Sequence, residues 1–287
     1  MKETMKFAYS TSLFRFHPLS EALESIADAG FRGVELMADR PHAFPKDFTA
    51  SQITDLIECM ARRRLRVCNL NSAVVTSLGD SQGPSWTDRD MQKRDKRVQY
   101  TMECLRLATA LGIPSVSTEP GGSPVPEMAA RLGTWELLAA NIRRVLPLAE
   151  KLGVPLLIQP EPGTLLASSD DIKMFLKDLG YAGYLKVNFD AGHFFCAGEN
   201  PCDSYEKLRE YVAHVHLEDI PANRGHRHIQ LGEGVMDISG FLQCLKESGY
   251  DGYVTIKLDA YDRRAEEMVA ASAHYLEEKG FSVGDAG

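Results

Sequence analysis

The sequence is poor in the features that mark membrane or exported proteins. No apolar run approaches the ~18 residues that a membrane-spanning helix needs. The first ten residues, MKETMKFAYS, contain no apolar stretch of the kind found in signal peptides. We therefore expect a cytoplasmic protein that has no membrane partner.

Positive charge is also in deficit. Lysine and arginine total 32 against 40 acidic residues, which gives a formal net charge of -8. A protein that binds the phosphate backbone of a nucleic acid usually presents a basic face. This balance argues against a nucleic-acid partner.

The six cysteines include no Cys-x-x-Cys pair. In a chain of this size they are typical of reduced, mostly buried thiols, and not of a disulfide scaffold. The length of 287 residues and the 44% apolar content suit one large soluble α/β domain, since a single α/β barrel takes roughly 250 residues.

The chain repeats one unit, in which an amphipathic helical pattern leads through glycine to a short apolar run. Eight such runs alternate with helical patterns: KFAYSTSLF, GVELMAD, RVCNLNSAV, SVSTEP, PLLIQPEP, LKVNFDAGH, AHVHLED and YVTIKLD. Alternating strands and helices indicate a parallel sheet. No Gly-x-Gly-x-x-Gly follows the first run, as an open dinucleotide-binding sheet would require. We predict a (β/α)8 TIM barrel forming a single domain over residues 1–287, with its core at about residues 6 to 280.

Two details of this prediction concern local structure. Ser20 is placed as the cap of the first helix, SEALESIADAG. The longest break, SLGDSQGPSWTDRD, is placed on the same face as the ends of the strands.

Polar side chains gather where the predicted strands end. In barrels of this kind the chemistry lies at the C-terminal ends of the strands, so we expect these side chains to meet at one mouth. Carboxylate, imidazole and amide groups brought together there are suited to a metal ion or a sugar. The residues are Glu35, Asn69, Asn71, Glu119, Gln159, Glu161, Asp190, His193, His216 and Lys257.

Four of the eight histidines lie in HVHLEDIPANRGHRHIQLGEG, residues 214–234, as two His-x-His pairs. Three segments in this order, VNFDAGHFF, HVHLED and LGEGVMD, resemble the xylose-isomerase-like superfamily of TIM barrels. That superfamily contains sugar and sugar-phosphate isomerases and epimerases, inosose dehydratases and apurinic-site endonucleases. The resemblance runs from the first strand to the last helix.

The resemblance implies a divalent ion held by a Glu, an Asp, a His and a Glu at the ends of strands five to eight. The matching positions are Gln159, Asp190, His216 and Lys257, so two of the four ligands are changed. A glutamine oxygen is a weaker, neutral ligand, and an ammonium group has no lone pair and repels a dication. We expect Lys257 to form an ion pair with Asp190, where the ion would otherwise lie, or with Asp259.

The endonuclease branch implies a second ligand set, which maps onto His193, His226 and His228. Three imidazoles that leave one position open are a known zinc arrangement. We therefore predict a divalent ion at the mouth, with zinc favoured and Mn²⁺ and Mg²⁺ as alternatives. Solvated loop histidines or contacts with a substrate remain alternatives for His226 and His228.

The leading functional prediction is an isomerase or epimerase acting on a polyol, a keto-sugar or a sugar phosphate. Such chemistry needs a base and a group that stabilises an enediolate. Glu161 is assigned as the base, with the ion or the Lys257 ammonium supplying positive charge. Glu35, Asn71 and Glu119 are assigned to the substrate hydroxyls.

Two alternatives stay open. A non-catalytic descendant that binds a sugar-like ligand or a partner would explain the loss of two ligands. A metal-dependent phosphoesterase or endonuclease would need histidine ligands from strands two and three, and those runs contain none. The resemblance also admits a homo-oligomer.

Overall fold

The computed structural model describes residues 5–73, 77, 84–121, 128–180, 183–258 and 264–284. Within them eight parallel strands form a closed barrel in sequence order, and β8 pairs with β1. This arrangement confirms the predicted (β/α)8 barrel. The strands are β1 (Lys6–Ser10), β2 (Gly33–Met37), β3 (Arg66–Asn71), β4 (Val116–Thr118), β5 (Leu156–Ile158), β6 (Leu185–Asp190), β7 (Val212–Leu217) and β8 (Tyr253–Ile256).

The strands are buried on both faces because helices cover the outside of the barrel and side chains fill its interior. The α-helices of the described residues are α1 (Leu19–Asp28), α2 (Ala50–Arg62), α3 (Met91–Leu111), α4 (Met128–Leu152), α5 (Ser169–Leu179), α6 (Ala191–Cys196), α7 (Pro201–Leu208), α8 (Ile238–Glu247) and α9 (Ala265–Glu278). None of them combines the length and the apolar character needed to cross a membrane.

Local signals in the sequence set several helix ends. Thr49 and Ser168 accept hydrogen bonds from the backbone N–H groups of Gln52 and Asp171, whose side chains bond back to complete a capping box. Gly112 and Gly180 end α3 and α5 in the left-handed conformation, which glycine adopts without strain.

The predicted cap of the first helix is wrong. Helix α1 begins one residue before Ser20, and Pro18 occupies the cap position without a side-chain hydrogen bond. Proline already has the backbone angle that a helix start requires, so no hydroxyl cap is needed there.

The structure also adds a helix that the sequence did not predict. Helix α6 follows β6 without a loop, and Asp190 caps it by accepting a hydrogen bond from the His193 backbone N–H at 3.0 Å. This short helix reverses the chain direction and holds His193 over the mouth of the barrel. Residues 78–83 of the long predicted break lie outside the described residues.

Candidate active site

Three histidines from two elements converge at the mouth. The Nε2 atoms of His193 and His226 are 2.8 Å apart, those of His193 and His228 3.1 Å, and those of His226 and His228 3.2 Å. Nitrogen ligands of a tetrahedral zinc ion at about 2.0–2.1 Å would be about 3.3 Å apart. The structure thus brings the three predicted ligands to nearly the spacing that one ion requires.

Two of these rings have a defined tautomer. Nδ1 of His193 lies 2.7 Å from the Pro160 carbonyl oxygen, and Nδ1 of His228 lies 3.0 Å from the Lys257 carbonyl oxygen. A carbonyl only accepts hydrogen bonds, so both Nδ1 atoms carry the proton and both Nε2 atoms present lone pairs. Lone pairs facing each other at this distance repel unless a cation or a proton lies between them.

Burial also keeps these imidazoles neutral. It lowers the pKa of His193 to about 3, against the opposing charge of Asp190. Burial likewise holds the pKa of His228 well below its ordinary value. Neutral imidazole is the form that binds metal, so the donor set fits a zinc-type ion.

The loop that carries His226 and His228 is held by Asp219, which our sequence analysis did not single out. Asp219 and Ile229 exchange two backbone hydrogen bonds, so the loop folds back on the end of β7. The Asp219 carboxylate accepts hydrogen bonds from the N–H groups of Gly232, Gly234 and Met236 at 2.9–3.0 Å. A side chain on Gly234 would overlap this carboxylate, which explains why the second glycine of LGEG is needed.

Asp190 lies beside the histidine group but is already engaged by the protein. Its Oδ1 caps α6, and its Oδ2 accepts a hydrogen bond from the Gln159 amide at 3.0 Å. The same Oδ2 is 3.4 Å from His193 Nε2 and 3.4 Å from His216 Nδ1. Asp190 therefore borders the histidine group, next to both His193 and His228.

Gln159 is oriented as a donor towards Asp190. Its Nε2 faces Asp190, while its Oε1 accepts a hydrogen bond from Asn188 Nδ2 at 3.1 Å. Reversing the amide would set two oxygens against each other. This arrangement favours a hydrogen-bonding role for Gln159 over the predicted role of metal ligand.

His216 bridges two carboxylates. Its Nε2 is 2.7 Å from Glu35 Oε2, and its other nitrogen faces Asp190. Burial lowers the pKa of His216, but Glu35 and Asp190 outweigh that effect and raise it above its ordinary value. An imidazolium between two carboxylates offers no lone pair, so these contacts also disfavour His216 as a ligand.

Glu35 is completely buried below the mouth. Its oxygens accept hydrogen bonds from Ser10 at 2.9 Å, Asn69 at 2.8 Å and Asn71 at 3.3 Å. Burial would raise the pKa of Glu35, but His216 and His214 hold it well below its ordinary value. Both Glu35 and Asn71 therefore bind other protein groups, and the predicted contacts with substrate hydroxyls stay a prediction that this geometry does not favour.

Glu161 has a different environment. Its backbone is fixed by hydrogen bonds with Leu166 and Thr164, while its half-buried carboxylate has no hydrogen-bond partner among the described residues. Burial, together with the negative charge of Glu119, raises the pKa of Glu161 to about 7. A carboxylate that titrates near neutral pH suits a general base or acid.

Lys257 follows β8 and is half-buried. The predicted ion pair with Asp190 is not formed, and within the described part of the chain the ammonium group has no direct ion-pair partner; the alternative partner Asp259 lies outside the described residues. Burial lowers the pKa of Lys257, but Asp190 and Glu119, with Glu35 and Glu218, raise it above its ordinary value. The ammonium group therefore stays charged. It interacts with these carboxylates without a direct ion pair, since Asp190 already contacts Gln159 and His216.

Glu119 and Glu218 complete the group of acidic residues. Glu119 is half-buried directly after β4. Glu218 is fully buried, and its Oε1 accepts a hydrogen bond from the Gly192 N–H at 2.7 Å. Burial and the charge of Asp190 raise the pKa of Glu218 well above its ordinary value. Our sequence analysis missed Glu218, although its position two residues after His216 on the same strand face was a usable signal.

Among the described residues three groups have ligand atoms close enough to hold an ion: His193, His226 and His228; Glu35, His214 and His216; and Asp190, Glu218 and His228. The first group fits an ion best, because its three Nε2 atoms lie 2.8–3.2 Å from one another. The set formed by Gln159, Asp190, His216 and Lys257 does not fit one, because its members bind each other and include an ammonium group. These features define a barrel whose mouth carries a group of three histidines with the spacing of metal ligands, with Glu161 after β5 and Lys257 after β8.

The chain belongs to the xylose isomerase-like TIM barrel family, whose model matches residues 23–279. The predicted family is thereby confirmed. Inosose dehydratase of Clostridium beijerinckii is 26% identical over 286 residues, covering 90% of this chain and 89% of that protein.

Solved structures share the fold. A D-tagatose 3-epimerase-like protein superimposes with a TM-score of 0.80 at 22% identity, covering 96% of this chain and 97% of its own. The IOLI protein, whose structure contains a zinc atom, gives a TM-score of 0.77 at 16% identity and covers 98% of both chains. The relatives support the prediction of an enzyme of the sugar isomerase and epimerase type.

Proposed function

We propose that this protein is a sugar isomerase or epimerase that removes a proton next to the carbonyl of a keto-sugar, an oxidised polyol or a sugar phosphate. The observation that carries the proposal is the convergence of three imidazoles at the mouth that also holds Glu161, whose carboxylate has no hydrogen-bond partner among the described residues. His193, His226 and His228 would hold a zinc-type ion. When bound, that ion would supply positive charge for an oxygen of the substrate.

The residues of the chain have separate roles in this proposal. Glu161 accepts the proton from the carbon beside the carbonyl, because its carboxylate has no hydrogen-bond partner in the described ranges and its pKa is raised to about 7. The Lys257 ammonium stabilises the negative charge that then develops on the substrate oxygen. Glu119, whose charge raises the pKa of both groups, accepts hydrogen bonds from substrate hydroxyl groups.

Exchange of substrate hydrogen tests this proposal. Zinc-loaded protein in D2O should incorporate deuterium next to the carbonyl of keto-sugars such as D-fructose and D-tagatose, or of an inosose, as followed by NMR. Glu161→Gln should reduce the exchange by a factor of about 10²–10⁴, the usual contribution of a general base. Wild-type rates in this variant, or no exchange with wild-type protein on any of these ketones, would contradict the proposal.

A non-catalytic, ligand-binding descendant is the second candidate, because Gln159 and Lys257 disfavour an ion at the carboxylate-lined position. It predicts sugar binding by calorimetry without deuterium exchange. An endonuclease is not favoured, because Glu35 and Asn69, and no histidine, project from β2 and β3 near the mouth.

A further inference from the structure

Two cysteines lie on neighbouring helices of the outer ring, away from the mouth. All six cysteines are free thiols, and the predicted burial holds fully only for Cys68 and Cys104. Cys202 on α7 and Cys244 on α8 are half-buried. Half-buried thiols can be reached by small molecules, whereas fully buried ones are inert.

Helix α8 turns Cys244 towards α7. Phe241, Cys244 and Ser248 are three and four positions apart, so they share one face of the helix. Tyr205 of α7 contacts the two residues that flank Cys244. Its ring centroid is 6.5 Å from that of Phe241, and its hydroxyl oxygen accepts a hydrogen bond from Ser248 Oγ at 3.2 Å. Cys244 therefore lies in the contact between the two helices.

Helix α7 brings Cys202 to the same contact, one turn before Tyr205. The Cys202 thiol donates to the carbonyl oxygen of Gly240, with Sγ at 3.8 Å. In an α-helix that carbonyl also accepts the N–H of the residue four positions later, which is Cys244. Helical side chains point back towards the preceding turn, so the Cys244 side chain is directed to where Cys202 lies. The two thiols are within hydrogen-bonding reach of each other.

The surroundings of Cys202 keep it in the thiol form. Burial raises its pKa to about 12, and the side-chain hydrogen bond with Cys244 adds to that shift. A thiolate attacks a disulfide, whereas a thiol does not. Cys202 is therefore suited to act second, after Cys244 has reacted.

We propose that Cys202 and Cys244 are a redox-sensitive pair that forms a reversible disulfide between α7 and α8 in the presence of a small-molecule disulfide such as glutathione disulfide. The Cys244 thiolate attacks one sulfur of the glutathione disulfide, whose S–S bond breaks and releases one glutathione. Cys202 then loses its proton to water and attacks the Cys244 sulfur, which releases the second glutathione. Two protein thiols are oxidised and one glutathione disulfide is reduced. The inference does not depend on the proposed function.

The cross-link would enclose an important part of the chain. Residues 202–244 include β7 and the loop that carries His226 and His228. A disulfide that closes a long segment reduces the conformational freedom of the unfolded chain. Oxidation should therefore stabilise the protein against heat without adding a contact at the mouth.

Thiol counting and peptide mapping test this assignment. Reduced protein is incubated with glutathione disulfide, and its free thiols are alkylated in denaturant and counted by mass spectrometry. The count should fall from six to four, and the peptides that contain Cys202 and Cys244 should be joined. The Tm should rise by about 5 °C. Dithiothreitol should restore both the six thiols and the original Tm.

Substitutions provide the controls. Cys202→Ser and Cys244→Ser should each lose the cross-link and the rise in Tm. Cys59→Ser, at a half-buried cysteine of α2, should behave like wild type. If circular dichroism shows that a serine variant does not fold, the corresponding alanine variant replaces it, and the peptide map of the wild-type protein decides the pairing independently.

Several results would overturn the inference. Six free thiols after the incubation would do so, as would a glutathione adduct on Cys244 that never resolves into the cross-link. A disulfide that joins either cysteine to a different partner would also contradict the pairing. So would a rise in Tm that persists in folded Cys202→Ser.

Discussion

At the scale of single residues, the two fixed imidazole rings are the most informative feature of the mouth. Each donates through Nδ1 to a backbone carbonyl and turns Nε2 towards the other rings. Such carbonyl contacts set the tautomer and orientation of metal-binding histidines in general. The sequence predicted which histidines meet, because their motif order matched the superfamily. It could not predict the carbonyl partners, which depend on the backbone path around Pro160 and Lys257.

Removing one ring should remove the ion. His228→Ala should lower the bound zinc of the purified protein from near one equivalent to near none, because two imidazoles do not fill a zinc site. Inductively coupled plasma mass spectrometry measures this directly. His274→Ala, at an exposed histidine of α9, is the control. Full zinc occupancy in His228→Ala would contradict the assignment.

The titration of Glu161 predicts a pH dependence. The carboxylate must be ionised to accept a proton, and its pKa is raised to about 7. The value of kcat/KM should therefore rise with pH through about 7 and fall roughly tenfold per unit below it. An ordinary carboxylate would show no change between pH 6 and 8, so a flat profile there would speak against Glu161 as the base.

Buried Glu35 should matter for stability and not for zinc. Glu35→Ala leaves His216 and two amides without their acceptor, so the free energy of unfolding should fall by about 3–5 kcal/mol. Glu24→Ala, which breaks an exposed ion pair with Arg63, should cost less than about 1 kcal/mol. Urea denaturation compares the two variants, and equal effects would show that the Glu35 network is not a main source of stability.

At the scale of elements, the regular strands and helices were predictable and the irregular segments were not. Seven of the eight predicted runs contain the observed strand, and AHVHLED begins one residue after β7 does, because buried parallel strands produce continuous apolar runs. Helix α6 was missed because six residues are too few to show a helical period. The loop that folds back onto the end of β7 was not predicted. Its bridge joins Asp219 to Ile229, ten positions later, and the irregular chain between them has no periodic pattern that would indicate the pairing.

The loop that presents His226 and His228 provides a prediction at this scale. Asp219→Ala removes the acceptor of several backbone N–H groups, so the loop should loosen and zinc affinity should fall about 10–100-fold. Competition with a chromophoric chelator measures that affinity. Asp237→Ala, which removes only the cap of α8, should cost about 1 kcal/mol of stability and leave zinc affinity unchanged. Equal zinc affinity in both variants would show that Asp219 does not organise the site.

At the scale of the whole molecule, the closed barrel determines which side chains can meet. Residues from β2, β5, β6, β7 and β8 share one mouth only because the strand ends form a ring. The fold and the family were predictable from alternation and motif order. The role of each residue at the mouth was harder to predict, because a motif indicates where a residue lies in the fold but not which side chains it will contact. Gln159 and Lys257 illustrate this limit: the sequence predicted an ion pair between Lys257 and Asp190, whereas the structure gives Asp190 to the Gln159 amide.

The barrel brings Lys257, whose carbonyl contacts His228, to the same mouth as the histidine group, and locating the ion tests most directly that this group holds it. Anomalous diffraction at the zinc edge from zinc-soaked crystals should give one peak, bonded to Nε2 of His193, His226 and His228. A peak bonded to Asp190 and His216, with the Lys257 side chain directed away from it, would contradict the account.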